Sequence, residues 1–135
     1  AALLNALRGQ LLIDGNSEIA DKIASAVRLR QYATGDTLFT QGERGGDLYL
    51  ILAGRVSVCE HGRVIASCGP GMHVGEVALL EPYKGHATTA IAVEDVVAAL
   101  ITGQKFGDIA RHHPELWRRM ALTLARRLSE LQAAA

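Results

Sequence analysis

The stretch Val74-Gly75-Glu76-Val77-Ala78-Leu79-Leu80, followed ten residues after its glutamate by His86-Ala87-Thr88-Thr89, carries the most specific chemistry in this chain. A Gly-Glu pair that opens a short apolar turn between strands presents free backbone N–H groups and one carboxylate to the same small volume. Backbone N–H groups pointing in a common direction, here those from Glu76 to Ala78, make an anion site. The combination suits a ligand that carries both a phosphate and a sugar hydroxyl.

Other chemistry has weaker support. His61, His73, His86, His112 and His113, with Glu76, raise the question of a metal-binding barrel. Such sites need two histidines one residue apart on a strand, a carboxylate and a third histidine. His73 and Glu76 supply only an H-x-x-E on a loop, and His112-His113 adjoin Pro114 between helices. There is no G-x-S-x-G, nucleophile–base pair or P-loop. The expectation is therefore a binding module with no catalytic residue, no metal and no cofactor.

The elements that must position these residues follow from composition and periodicity. A chain of 135 residues, half of them apolar and about a fifth charged, is expected to form one soluble domain over 1–135. Fourteen basic residues balance fourteen acidic ones, so no net field favours nucleic acid. No run of about twenty apolar residues would span a membrane. Cys59 and Cys68 flank a tight turn at His61-Gly62. A two-residue hairpin there sets Cys59 opposite Val64 and Cys68 opposite Arg55, so the two are not cross-strand partners. With no basic-then-apolar leader, unpaired cysteines read as reduced and the location as cytoplasmic.

Residues 1–26 carry a helical period, with Leu3, Leu4, Leu7 and Leu11 on one stripe and Ser17 expected to cap a second helix holding Ile19, Ile23 and Val27. From 27 to 102 the pattern becomes short strands punctuated by glycine, the signature of an antiparallel barrel or sandwich. Leu48, Leu50 and Leu52 share one parity, followed by Val56 and Val58, as in strands with one face inward. The helical period returns over 103–132. A short helix spans 103–112, and Pro114 fits the first turn of a longer one running to about Leu131. On that helix Trp117, Met120, Ala121, Leu124, Leu128 and Leu131 share one face, while Arg119, Thr123, Arg126, Arg127 and Glu130 are expected on the other. The predicted fold is mainly β with α flanks: an antiparallel β-roll or jelly-roll barrel of about eight strands, N-terminal helices and two C-terminal helices.

At this point a family resemblance becomes specific. The run from Val27 through Tyr32-Ala33-Thr34-Gly35-Asp36-Thr37-Leu38-Phe39-Thr40-Gln41-Gly42-Glu43 resembles the first strands of cyclic nucleotide-binding domains, as in catabolite activators and protein kinase A regulatory subunits. Leu48-Tyr49-Leu50-Ile51-Leu52-Ala53-Gly54-Arg55-Val56-Ser57-Val58 continues the match, and Gly75-Glu76 falls where that family has its phosphate-binding cassette. The resemblance covers nearly the whole chain. It implies a sensor for a 3′,5′-cyclic nucleotide such as cAMP, cGMP, cCMP or cUMP. Gly75, Glu76, Val77 and Ala78 would line the phosphate and sugar, with Glu76 accepting the ribose 2′-OH, and Ala87 and Thr88 would approach the phosphate by backbone or hydroxyl.

One departure stands out: His86 occupies the place where the family usually has an arginine. Arginine offers a permanently charged fork, whereas histidine is shorter and charged mainly below a pKa near 6.5. Three arrangements remain open. His86 contacts the phosphate; Lys84 from the same loop substitutes; or the backbone amides act alone or the pocket favours an unusual ligand or none. The resemblance also implies that the C-terminal helix closes over the base, with Thr123, Arg126 and Arg127 placed to reach it or to face solvent. Its movement would drive an attached or partner output domain. Bacterial antiphage effectors that join such a sensor to a TIR domain and answer cyclic pyrimidine nucleotides are one comparison. A degenerate β-roll acting as an interaction scaffold, or a homodimer through the C-terminal helix, is the alternative.

Overall fold

The computed structural model describes residues 2–134. Two antiparallel four-stranded sheets face each other. One has the order β1 (Arg28–Tyr32), β8 (Val96–Ile101), β3 (Leu48–Ala53), β6 (His73–Val74). The other runs β2 (Thr37–Phe39), β7 (Thr89–Ala92), β4 (Val56–Glu60), β5 (Arg63–Cys68). Helices α1 (Ala2–Arg8), α2 (Ser17–Ala26), α4 (Gly103–His112) and α5 (Glu115–Ala134) flank this β-roll, and the short α3 (Glu76–Leu80) interrupts it. The expected β-roll with helical flanks is the fold observed.

Central strands β3 and β8 bury both faces. Leu48, Leu50, Ala99 and Ile101 pack beneath the helices, against Ile19, Ile23, Phe106 and Leu116. Tyr49, Ile51, Ala98 and Leu100 point the other way, into the space between the sheets, with Phe39, Val56 and Ala90. The leucine parity of β3 therefore faces the helices and not the interior of the roll. A strand covered on both sides reads as a near-continuous apolar run, which hides the face each residue takes.

Three local expectations are corrected by the structure. The first helix ends at Arg8, so Leu11 is exposed and Leu12 and Ile13 enter the core in its place. Asn16, not Ser17, caps α2, its side chain accepting from the Ile19 N–H at 2.9 Å. The His61-Gly62 turn does form, with both residues at positive φ as a type I′ hairpin requires. Past Cys59↔Val64, however, the pairing slips and Val58 meets Ala66. This bulge at Ile65 moves Cys68 opposite Val56 instead of Arg55. Both cysteines remain free.

The start of α5 is held firmly. Leu116 and Met120 are fully buried, and Arg119 donates to the carbonyls of Leu12 and Ile13, each at 3.0 Å. Trp117 packs edge-on against Phe106 of α4 with centroids 5.0 Å apart. Beyond Thr123, every side-chain hydrogen bond from α5 among the described residues comes from Arg127. Among those residues no helix is long and apolar enough to cross a membrane.

Candidate functional site

Gly75 makes the cassette geometry possible. It sits in the left-handed region at φ +90° and serves as N-cap of α3. A Cβ at this position would lie 2.9 Å from the Asp47 carbonyl oxygen and 3.4 Å from Cε1 of His86. Only glycine lets β6 turn this closely past β3 and immediately begin a helix. The turn delivers Glu76 as the first residue of α3, with its side chain buried.

A cavity of about 480 Å³ opens beside this turn. Gly75, Glu76 and Val77 form one wall, with His86, Ala87 and Thr88 adjoining. Val58, Ile65, Ala66 and Cys68 supply an apolar floor from the β4–β5 hairpin, where the bulge turns Ile65 inward. The remaining wall belongs to α5, through Leu124, Arg127, Leu128, Glu130 and Leu131. Gly75, Glu76, Val77, His86, Ala87 and Thr88 thus assemble at one place, and the last helix closes it. Among the described residues no group of three or more His, Cys, Asp or Glu side chains gathers as a metal site.

The charges in this cavity are arranged asymmetrically. Burial drives the Glu76 carboxyl upward, but the His73 ring, the Arg127 guanidinium and its own backbone N–H together hold it below the usual carboxylate value. Nδ1 of His73 lies 3.7 Å from Glu76, and both ring nitrogens of this fully buried histidine lack a hydrogen-bond partner. His86 is also buried, its ring stacked on Phe39 with centroids 3.8 Å apart. Burial lowers its pKa from the ordinary 6.5, against a weaker upward pull from Glu43, Asp47 and Glu76. Burial thus favours the neutral form of the His86 imidazole. Its backbone anchors the loop: the His86 N–H donates to Glu43 and its carbonyl accepts from Gly42.

The other sequence candidates lie elsewhere. Lys84 is exposed and pairs with Glu81 at 2.9 Å, outside the cavity lining. Arg126 is exposed and lines no part of the cavity. Thr123 is buried but donates back along its own helix to the Arg119 carbonyl at 3.1 Å. Ala78 is buried beneath the turn without lining the cavity.

Arg127 and Glu130, which sequence periodicity assigned to the opposite face, both line the cavity, and Arg127 makes the contacts. Its guanidinium donates to Glu76 Oε1 and to the His73 carbonyl, and lies 3.8 Å from Cys68 Sγ. At about 100° per residue, Arg127 falls about 60° from Leu124 and about 100° from Leu128, on the border between the two faces. The available signal was that borderline position, together with a side chain long enough to reach a buried carboxylate.

Residues 29–113 match the cyclic nucleotide-binding domain family, and the chain belongs to that family. Its similarity to individual proteins extends further along the sequence. It is 36% identical over 128 residues to the Pycsar effector protein XpPycTIR of Xanthomonas perforans, covering 95% of this chain and 42% of that protein. The cyclic AMP receptor protein of Thermus thermophilus is 32% identical over 130 residues, covering 92% of this chain and 60% of the other. The crystal structure of Thermus thermophilus catabolite activator protein superposes with a TM-score of 0.81 at 31% identity, over 93% of this chain and 61% of that one. The chain thus spans about two fifths of the first relative and three fifths of the second.

Proposed function

We propose that this chain is a sensor that binds a 3′,5′-cyclic nucleotide monophosphate and reports its presence to an output domain by fixing the position of α5. The observation that carries this reading is the shared cavity, with Glu76 on one side and Leu124, Arg127, Leu128 and Leu131 of α5 on the other. A ligand there touches the rigid roll and the lightly held half of the last helix at once. It can shift the helix only through its different affinity for the two arrangements, and contacts to both walls supply that difference. Glu76 offers an acceptor to a ribose hydroxyl, and Ala87 and Thr88 stand at the phosphate end. The apolar floor of Val58, Ile65 and Ala66 suits the flat face of a base.

An attached TIR-type output is the favoured partner, because XpPycTIR, BcPycTIR and PaPycTIR, all named Pycsar effector proteins, align with 94–96% of this chain. A cytoplasmic location and a pyrimidine ligand belong to the same proposal. A homodimer through exposed Leu122 and Leu128 of α5 would be read by light scattering.

Calorimetric titration with cAMP, cGMP, cCMP and cUMP tests the reading. Saturable binding of one of the four is expected. No heat and no thermal shift with any of them would overturn the sensor function and leave a β-roll scaffold.

A further inference from the structure

We infer that Arg127 of α5 is the cation that recognises the anionic group of the ligand, standing in for the arginine that the 84–88 loop lacks. This rests on the cyclic nucleotide reading above and names the residue that discriminates charge within that site.

Three observations lead to it. First, charge: the described residues lining the cavity include two carboxylates, Glu76 and Glu130, and one guanidinium, Arg127. A phosphodiester entering that space would add a third negative charge to a largely apolar enclosure, which is unfavourable without a cation in contact. Second, the rivals are absent. Lys84 lies outside the cavity and is tied to Glu81, and His86 is a buried imidazole stacked on Phe39. Third, Arg127 has capacity to spare. Its Nη atoms serve Glu76 and the His73 carbonyl, while its Nε is buried with no hydrogen-bond partner. A guanidinium carries five N–H donors in a planar fork, so it can take a phosphate oxygen while keeping Glu76 in place.

The placement has a consequence for signalling. An arginine on the 84–88 loop would bind the phosphate within the roll alone. Arg127 makes capture of the anion and positioning of α5 a single event, because the cation rides on the helix that must respond.

The test compares each bound cyclic nucleotide with its neutral phosphate methyl ester, using calorimetry on the whole chain. Taking the ratio of the two affinities cancels changes in the sugar contacts that both ligands share, and carrying the comparison in a Glu76→Gln background removes the repulsion that an unpaired Glu76 would exert on the anion alone. The wild-type chain is expected to prefer the anion by about tenfold to a hundredfold, the range for a charge-assisted hydrogen bond. Arg127→Gln should bring the ratio close to one, while Arg118→Gln, an equal charge change at an exposed position of α5, should leave it intact. Arg127→Met, which keeps the aliphatic stem, carries the same comparison if the glutamine variant does not fold. An unchanged ratio in the Arg127 variants, or a collapse in His86→Gln alone, overturns the inference and leaves the sensor reading standing. Failure of the wild-type chain to bind any of the four nucleotides removes both.

Discussion

Phe39 and His86 stack ring on ring, their centroids 3.8 Å apart and their planes 15° from parallel. Tyr49 meets the same imidazole edge-on at 6.4 Å. His86 thus lines the cavity as a ring that completes an aromatic cluster with Phe39 and Tyr49. A stacked, buried imidazole favours its neutral form, since burial penalises the charged one.

This predicts how stability depends on pH. The pKa of His86 in the folded chain lies below the ordinary 6.5. Its contribution is therefore complete above the unfolded value and is lost as pH falls through that value, where the unfolded chain takes up a proton first. Thermal unfolding between about pH 7.5 and 5.5 should show the midpoint falling, with a shallower fall in His86→Gln. Equal slopes in the two proteins would assign the dependence to other groups.

Glu76 is expected to read the sugar. The wild-type chain should bind a ribonucleotide more tightly than its 2′-deoxy counterpart, and Glu76→Ala should weaken the ribonucleotide by roughly 1–3 kcal/mol, the cost of stranding a buried partner. The preference over the deoxy form should vanish in that variant. If titration shows it retained, the ribose lies elsewhere.

Gly75 offers a test of the turn itself. An alanine would face the left-handed strain of φ +90° and a Cβ 2.9 Å from the Asp47 carbonyl. Gly75→Ala should lose about 1–3 kcal/mol of stability in urea titration. Nucleotide affinity should fall as well, because α3 would have to shift. An alanine variant as stable as the wild type would mean that the backbone relaxes freely at this point.

Movement of α5 has a built-in reporter. Trp117 is the only tryptophan in the sequence, half exposed and set edge-on to Phe106 of α4. Saturating nucleotide should change the intensity or wavelength of its emission, and Arg127→Gln should reduce that change even at saturation. A spectrum indifferent to bound nucleotide would place any helix movement beyond this residue.

Much of this molecule is legible along the chain because its signals are local. The change from a helical period to glycine-punctuated strands after residue 26, the His61-Gly62 hairpin and the helix over 103–112 each depend on a few neighbouring residues, and each is present in the structure. So is the Gly75-Glu76 turn, whose backbone demand only glycine meets. The Asn16 cap and the end of α1 differ by a residue or a few, where competing polar residues offer nearly equivalent local bonds.

Only the tertiary structure decided the rest. A bulge at Ile65 moved Cys68 by one pairing position and aimed Ile65 into the cavity, and the leucines of β3 turned out to lie under the helices. Arg126 and Arg127 are adjacent and chemically identical, yet one faces solvent and the other bonds Glu76, distant in sequence. Sequence determined that an amphipathic helix with a row of arginines would end this chain. Which arginine enters the cavity depends on the rotation of that helix about its axis, set by Leu116, Met120 and Arg119 packing on distant elements. Periodicity specifies a face to within tens of degrees, and that is coarser than the distance between pairing a buried carboxylate and pointing into water.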